Sequence, residues 1–228
     1  MEVKTQYITK IYRVAERDIK VLDKVNISVS SGAFVIILGP SGAGKTTLLS
    51  ILSGIEPATS GRVFFNGLDF MTMNEKEHSD FRLRQIGFMF QNFNLIPSLT
   101  VRENVSLPLV NLKRKDEISA KTGSLMERVG IANRSDNLPD TLSCGERQRV
   151  AIARAIANNP RLILADDPTA NLDDESSAKV MQILYKLNQE DKSTVILCTN
   201  RSEIASQKCD KLYKIEGGRV EAGKGRLQ

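Results

Sequence analysis

The stretch that most constrains the chain is LGPSGAGKTTLL at residues 38–49, which fits the spacing GxxxxGK[ST] from Gly39 through Gly44 to Lys45 and Thr46. The apolar run AFVIIL precedes it and the helix-compatible TTLLSIL follows, as a phosphate-holding loop between strand and helix requires. Glycines at 39, 42 and 44 let the backbone turn tightly and point successive N–H groups inward, where they can cradle phosphate oxygens at the positive end of the helix. Pro40, Ser41 and Ala43 complete the loop, and Thr47 follows it on the first helical turn. Lys45 would reach the β- and γ-phosphates, and the Thr46 hydroxyl would hold Mg²⁺. The plainer role, a glycine-rich turn that only joins strand to helix, explains neither the lysine nor the two flanks.

At 228 residues, 41% of them hydrophobic, the chain can bury a substantial core as one domain spanning 1–228, with room for a small insert. No apolar run approaches the roughly 18 residues of a membrane span. The N-terminal MEVKTQYITKIYR lacks the apolar core of a signal peptide, so the chain is expected in the cytoplasm. Cys144, Cys198 and Cys209 are scattered without metal-like spacing, as reduced thiols are. The net charge is +5, yet 32 basic residues are interleaved with 27 acidic ones. Only KRK at 113–115 and GKGR at 223–226 are locally basic, so an ordinary solvated surface is expected and no nucleic-acid partner.

Strand-like and helix-like runs alternate. KVLDKVNISV and AFVIIL read as strands, the second buried on both faces; GRVFFNG and IGFMFQ are further short strands. NEKEHSDFRLRQ between them reads as a polar helix with His78 exposed on it. Residues 96–158 change character, with Pro97 and Pro108 followed by helical runs near 115–130 and 144–158. RLILAD, ESSAKVMQILYKLNQE, STVILCT and DKLYKIEGGRV then resume the alternation. The order predicts an α/β fold: a parallel sheet covered by helices, with a mostly helical insert.

In RLILADDP an apolar strand ends in two acids, at the carboxyl edge where ligands of α/β sheets sit. Asp166 can bind the Mg²⁺ of a phosphate-loop nucleotide, and Asp167 can orient or deprotonate an attacking water. An acid pair capping the next turn before Pro168 is the plainer alternative. In LSCGERQRVAIARAIANNP, Ser143 with Glu146 three positions on forms a capping box that opens an amphipathic helix.

With these motifs in place, nearly the whole chain resembles the ATP-binding cassette (ABC) ATPases, and within them the LolD/MacB/FtsE-type cassettes. GPSGAGKT looks like Walker A, Gln91 in FMFQN like the Q-loop, LSCGE like the signature, LILADD like Walker B and ANLD at 170–173 like the D-loop. The resemblance implies a P-loop NTPase (RecA-like) core, an N-terminal antiparallel β subdomain, and a helical signature subdomain at about 96–158. It implies ATP and Mg²⁺ as cofactors, with Gln91 completing the metal shell and Tyr12, upstream of the first full strand, stacking on adenine, although Tyr12 also reads as an ordinary strand tyrosine. Two cassettes would close head to tail, as a homodimer or a heterodimer, so that Ser143 and Gly145 of one meet the ATP of the other. A membrane permease subunit would dock near residues 92–105, where the apolar Phe93, Leu95, Ile96 and Leu99 are expected at the surface, placing the chain on the inner face of the cell membrane; a loop folded onto its own helical insert is the plainer alternative. The other class to weigh is a soluble, non-transport cassette acting as a nucleotide-dependent switch; this chain has neither the tandem cassettes nor the long coiled-coil insertion of such proteins.

Three positions depart from the family pattern: Asp167 where Glu is usual, Asn200 in VILCTN where His is usual, and Cys144 where Gly is usual. Asp sets its carboxylate roughly 1 to 1.5 Å back from the attacking water, a misplacement that can cost about 10²-fold in rate. Asn200 can donate to a γ-phosphate oxygen but cannot carry charge, and one weakened donor can cost on the order of 3 kcal/mol. Set against the family pattern, these departures imply an ATPase whose turnover is slowed more than its binding; the plainer alternative is that they are tolerated variations in an active enzyme.

Overall fold

The chain opens on two long antiparallel strands, β1 (Val3–Val14) and β2 (Arg17–Val25), then β3 (Ser28–Val29). Next come β4 (Phe34–Leu38), α1 (Lys45–Leu52), β5 (Ser60–Phe65) and β6 (Leu68–Asp69). Helix α2 (Glu75–Gln85) leads into β7 (Ile86–Met89), followed by α3 (Val101–Ser106), α4 (Lys115–Arg128) and α5 (Cys144–Ala155). The chain finishes with β8 (Leu162–Asp166), α6 (Asp174–Glu190), β9 (Thr194–Thr199), α7 (Ser202–Ala205), β10 (Lys211–Glu216) and β11 (Arg219–Gly223). The computed structural model describes residues 1–15, 17–110 and 114–223. Lys113 of the KRK run and residues 224–226 of the GKGR run lie outside these.

Two sheets result. The first is antiparallel, in the order β2-β1-β5-β6 with β3 also on β1; the second runs β11-β10-β4-β9-β8-β7, parallel except for β11 at its edge. The apolar run of β4 is explained by burial on both faces. Phe34 and Ile36 face the cluster that holds Val105 of α3, Met126 of α4, Val150 of α5 and Leu184 of α6. Val35 and Ile37 face the opposite cluster, where α1 contributes Leu48 and Leu52 and the antiparallel sheet contributes Ile8 and Val63. Such two-sided burial suits a parallel sheet and erases the polar alternation of a half-exposed strand.

Three local expectations are corrected. The N-terminal segment forms the full strand β1, with Tyr12 inside it, not upstream of the first strand. Its alternation is broken because Tyr7 takes a positive φ of 53° and the pairing with β2 shifts register between Ile8 and Lys10; a bulge of this kind re-aims the side chains beyond it. DKLYKIEGGRV is a hairpin turning at Gly217–Gly218, not one strand. His78 is half-buried: its Nε2 lies 2.7 Å from the Phe70 carbonyl oxygen and its ring stacks on Phe70 at 4.3 Å. Helix α2 itself forms as read, opened by the capping box of Asn74 and Glu77.

Candidate functional site

Strand β4 delivers the glycine-rich loop to the carboxyl edge of the parallel sheet, and β8 and β9 bring Asp166, Asp167, Thr199 and Asn200 to that same edge. The Gly39 N–H donates to the Thr199 carbonyl oxygen at 3.1 Å, which ties loop to sheet. Gly44 caps α1 with φ 97°, and a Cβ there would come within 2.8 Å of Leu22 and 2.9 Å of the Val21 carbonyl oxygen. Only glycine meets both demands. Lys45 is buried and its ammonium donates to the Gly39 and Pro40 carbonyl oxygens at 2.7 and 2.8 Å, so the charge sits inside the curl of the loop. The Thr46 hydroxyl donates to Asp166 Oδ2 at 2.7 Å.

These groups meet in one cavity of about 270 Å³, lined by Val21, Ser41, Gly42, Gly44, Lys45, Thr46, Thr47, Gln91, Asp166 and Asp167. Gly39, Pro40 and Ala43 belong to the same loop but do not line the cavity, Gly39 and Ala43 being buried and Pro40 exposed. Asn200 lies at the rim, exposed, with its amide 3.5 Å from the Ser41 hydroxyl. Ser143 and Gly145 are not brought to this cavity. Ser143 is exposed and caps α5 through the box with Glu146. Gly145 is buried against α6, where a Cβ would meet the Ser176 hydroxyl at 2.8 Å, and the Cys144 sulfur accepts from Arg147 at 3.2 Å.

The Thr46 hydroxyl and an Asp166 carboxylate oxygen are hydrogen-bonded and Gln91 lines the same cavity, a set of hard oxygen donors that fits Mg²⁺. Among the described residues no group of three or more His, Cys, Asp or Glu could hold a metal by itself.

Asp166 and Asp167 are 4% and 7% exposed. Burial pushes both carboxyls above the usual range; the Thr46 hydroxyl opposes this at Asp166, and the Thr199 hydroxyl at Asp167. Asp167 also takes φ 44°, a left-handed backbone that Asp and Asn tolerate better than longer side chains. Its own N–H donates to the Cys198 carbonyl oxygen, and its Oδ1 accepts from Thr199 at 3.1 Å. A carboxyl whose folded pKa lies above its unfolded value supports the fold below the ordinary value of 3.8 and loses that support as pH rises through the folded pKa. Asp167→Asn keeps the acceptor and the favoured backbone and removes the buried charge. Without nucleotide at pH 7 it is expected to stabilise the chain by on the order of 1 kcal/mol, about 2 to 4 °C in melting temperature. The gain should shrink toward pH 4; a melting temperature at or below the wild type at pH 7 contradicts this account.

Residues 92–100 have no regular structure, and four of the side chains expected at the surface divide. Leu95 packs against the core, Phe93 is half-buried with the Arg147 guanidinium 5.7 Å from its ring centroid, Leu99 is half-buried, and Ile96 is exposed. Phe93 and Asn94 both take positive φ, 61° and 46°, and Arg154 of α5 donates to both of their carbonyl oxygens at 2.6 Å. Sequence reasoning missed Val21 in the cavity lining, although its place in the alternating KVLDKV run puts it opposite the buried Leu22.

Comparison with known proteins agrees with this geometry. The family described as ABC transporter matches residues 22–170. The chain is 44% identical over 212 residues to the uncharacterized ABC transporter ATP-binding protein Rv0986 of Mycobacterium tuberculosis, covering 92% of this chain and 84% of the relative. It is 41% identical to the macrolide export ATP-binding/permease protein MacB of Syntrophobacter fumaroxidans over 98% of its own length, but spans only 32% of MacB. The dimeric ATP-binding cassette MJ0796 of Methanocaldococcus jannaschii, solved in a post-hydrolysis state with ADP and Pi, superposes with a TM-score of 0.92 at 38% identity, covering 99% of this chain and all of that one. The chain therefore belongs to the ABC transporter family as an ATP-binding cassette.

Proposed function

We propose that the chain is the ATP-hydrolysing subunit of a membrane transporter or mechanotransmission system, closing with a second cassette around MgATP and driving a membrane permease. The observation that carries this reading is the convergence of Lys45, Thr46, Gln91, Asp166 and Asp167 on one cavity at the sheet edge. Lys45 and the loop N–H groups would bind the β- and γ-phosphates. Thr46, Asp166 and Gln91 would hold Mg²⁺, which when bound neutralises charge on the phosphate oxygens. Asp167 would orient the attacking water, and Asn200 at the rim would donate to the γ-phosphate. Ser143 and Gly145, at the start of a helix remote from the chain's own cavity, would serve the partner cassette, where the helix N-terminus favours anionic oxygens. Asp167, drawn toward Thr199, and the uncharged Asn200 would make turnover slow relative to binding.

The permease is supported by MacB, a macrolide export ATP-binding/permease protein of which this chain covers only 32%. Among the described residues no helix is long and apolar enough to cross a membrane. The permease would dock beside Gln91, placing the cassette on the inner face of the membrane. Ile96 is the side chain to test, because Leu95→Asp would disturb core packing as well. From detergent-solubilised membranes the tagged chain is expected to retain an integral membrane protein. Ile96→Asp should reduce that retention at least about tenfold, the scale of one buried apolar contact, while leaving MgATP affinity within about twofold. No membrane protein on the wild-type chain, or unchanged retention by Ile96→Asp, overturns the respective half of the reading.

A further inference from the structure

The cavity at the phosphate loop accounts for the phosphates and the metal but leaves a buried charged group nearby without a role. Lys10, on β1, is 9% exposed. Its ammonium donates to the Pro57 carbonyl oxygen at 2.8 Å and pairs with Glu56 Oε1 at 2.9 Å. The other oxygen of that carboxylate, Oε2, accepts the Tyr12 hydroxyl at 2.7 Å, and the same ammonium lies 4.9 Å from the Tyr12 ring centroid. One carboxylate therefore holds both a lysine and a tyrosine from alternate positions of β1.

Glu56 is itself fixed to α1. The backbone N–H groups of Ile55 and Glu56 both donate to the Ser50 carbonyl oxygen, at 3.0 and 3.2 Å, folding the chain back on the helix just after its end. The first turn of α1 carries Lys45, Thr46 and Thr47, and the Thr47 side chain lies beside the Tyr12 hydroxyl. The ring is thus indexed to the helix that bears the phosphate loop, although it belongs to a different sheet. Opposite Tyr12 on β2 stands Ile19, half exposed, and Val21 two residues on lines the cavity. Burial, reinforced by Glu56, raises the Tyr12 hydroxyl above the ordinary phenol range, so it remains a donor at physiological pH.

We propose that Glu56, with Lys10, is the positioning element that fixes the Tyr12 ring as the platform for the adenine of ATP, and so sets the base-dependent part of nucleotide affinity. The inference rests on the reading of Tyr12 as the base-stacking residue. Without the carboxylate the hydroxyl loses its acceptor and the ring regains torsional freedom, which stacking would have to remove again. The ammonium over the ring adds a second restraint, since a cation near an aromatic face is attracted to its quadrupole.

The test separates the base from the phosphates by titrating each protein with MgATP and with magnesium tripolyphosphate, and by recording the quenching of ethenoadenosine triphosphate, which reports stacking. The chain has no Trp, so protein fluorescence interferes little. Glu56→Ala is expected to weaken MgATP about tenfold, within the range of base–aromatic stacking losses, to leave tripolyphosphate within about twofold, and to remove most of the quenching. Tyr12→Phe, which keeps the ring and loses the hydroxyl, should fall between the wild type and Glu56→Ala. Tyr12→Ala should match Glu56→Ala, and the double variant should be no worse than either. An unchanged ratio of ATP to tripolyphosphate affinity in Glu56→Ala overturns the proposal, as do equal losses for both ligands. If Tyr12→Ala lowers the ratio while Glu56→Ala does not, positioning fails and the platform stands; if neither does, the platform itself fails.

Discussion

Lys45→Ala is expected to weaken MgATP binding by about 10² to 10⁴-fold, the loss of two charge-assisted hydrogen bonds to phosphate, and so to erase the heat signal of a calorimetric titration at micromolar protein. The argument depends on where the ammonium sits. It is buried inside the loop and, among the described residues, donates to the carbonyl oxygens of Gly39 and Pro40, neutral acceptors that phosphate oxygens would replace with charged ones. Deleting it should scarcely disturb the fold, because β4, α1 and the Gly39–Thr199 bond hold the loop independently. A melting curve close to the wild type together with lost binding is the expected pair of results. Retained affinity would remove the phosphate-binding role from this loop.

The second large effect concerns turnover. Asp167→Glu combined with Asn200→His is expected to raise steady-state phosphate release by roughly 10² to 10⁴-fold, by advancing the carboxylate toward the attacking water and placing a chargeable donor at the γ-phosphate. The two sites are neighbours, so the gains need not add. The structure attaches a cost to the first change. Position 167 has φ 44°, where Glu is less at ease than Asp, so the faster enzyme should also be less stable by on the order of 1 kcal/mol. Phosphate release by the wild type already near about 10 s⁻¹, unimproved by the double change, refutes the slowed-site reading.

What could be read from the sequence was local in the chain. The phosphate loop, the acid pair after LILA and the capping box at Ser143 each declare themselves within about ten residues, since each is a turn or helix start whose chemistry its own neighbours supply. What escaped was made of residues distant in sequence. Val21 enters the cavity because β2 lies against Gly44, and Glu56 meets Tyr12 across 44 positions. Strand β1 was hidden for a different reason. Its buried positions run Val3, Thr5, Ile8, Lys10, so a bulge breaks the period of two and a lysine occupies an inward place that only Glu56 and the Pro57 carbonyl make tolerable. His78 gave no sign of its packing, because its partner Phe70 sits outside the helix that carries it.

The grip of Arg154 on residues 93 and 94 makes the segment after Gln91 mechanically part of α5. Moving that segment alone would break two charge-assisted bonds, at a cost of about 3 to 6 kcal/mol, and would strand a guanidinium whose burial already depresses its pKa. Rotating the helix with it breaks neither. On the proposed function, a push arriving at Ile96 would therefore turn the helix whose far end would present Ser143 to a partner cassette, in the manner of a lever with one arm toward the permease and the other toward the dimer seam.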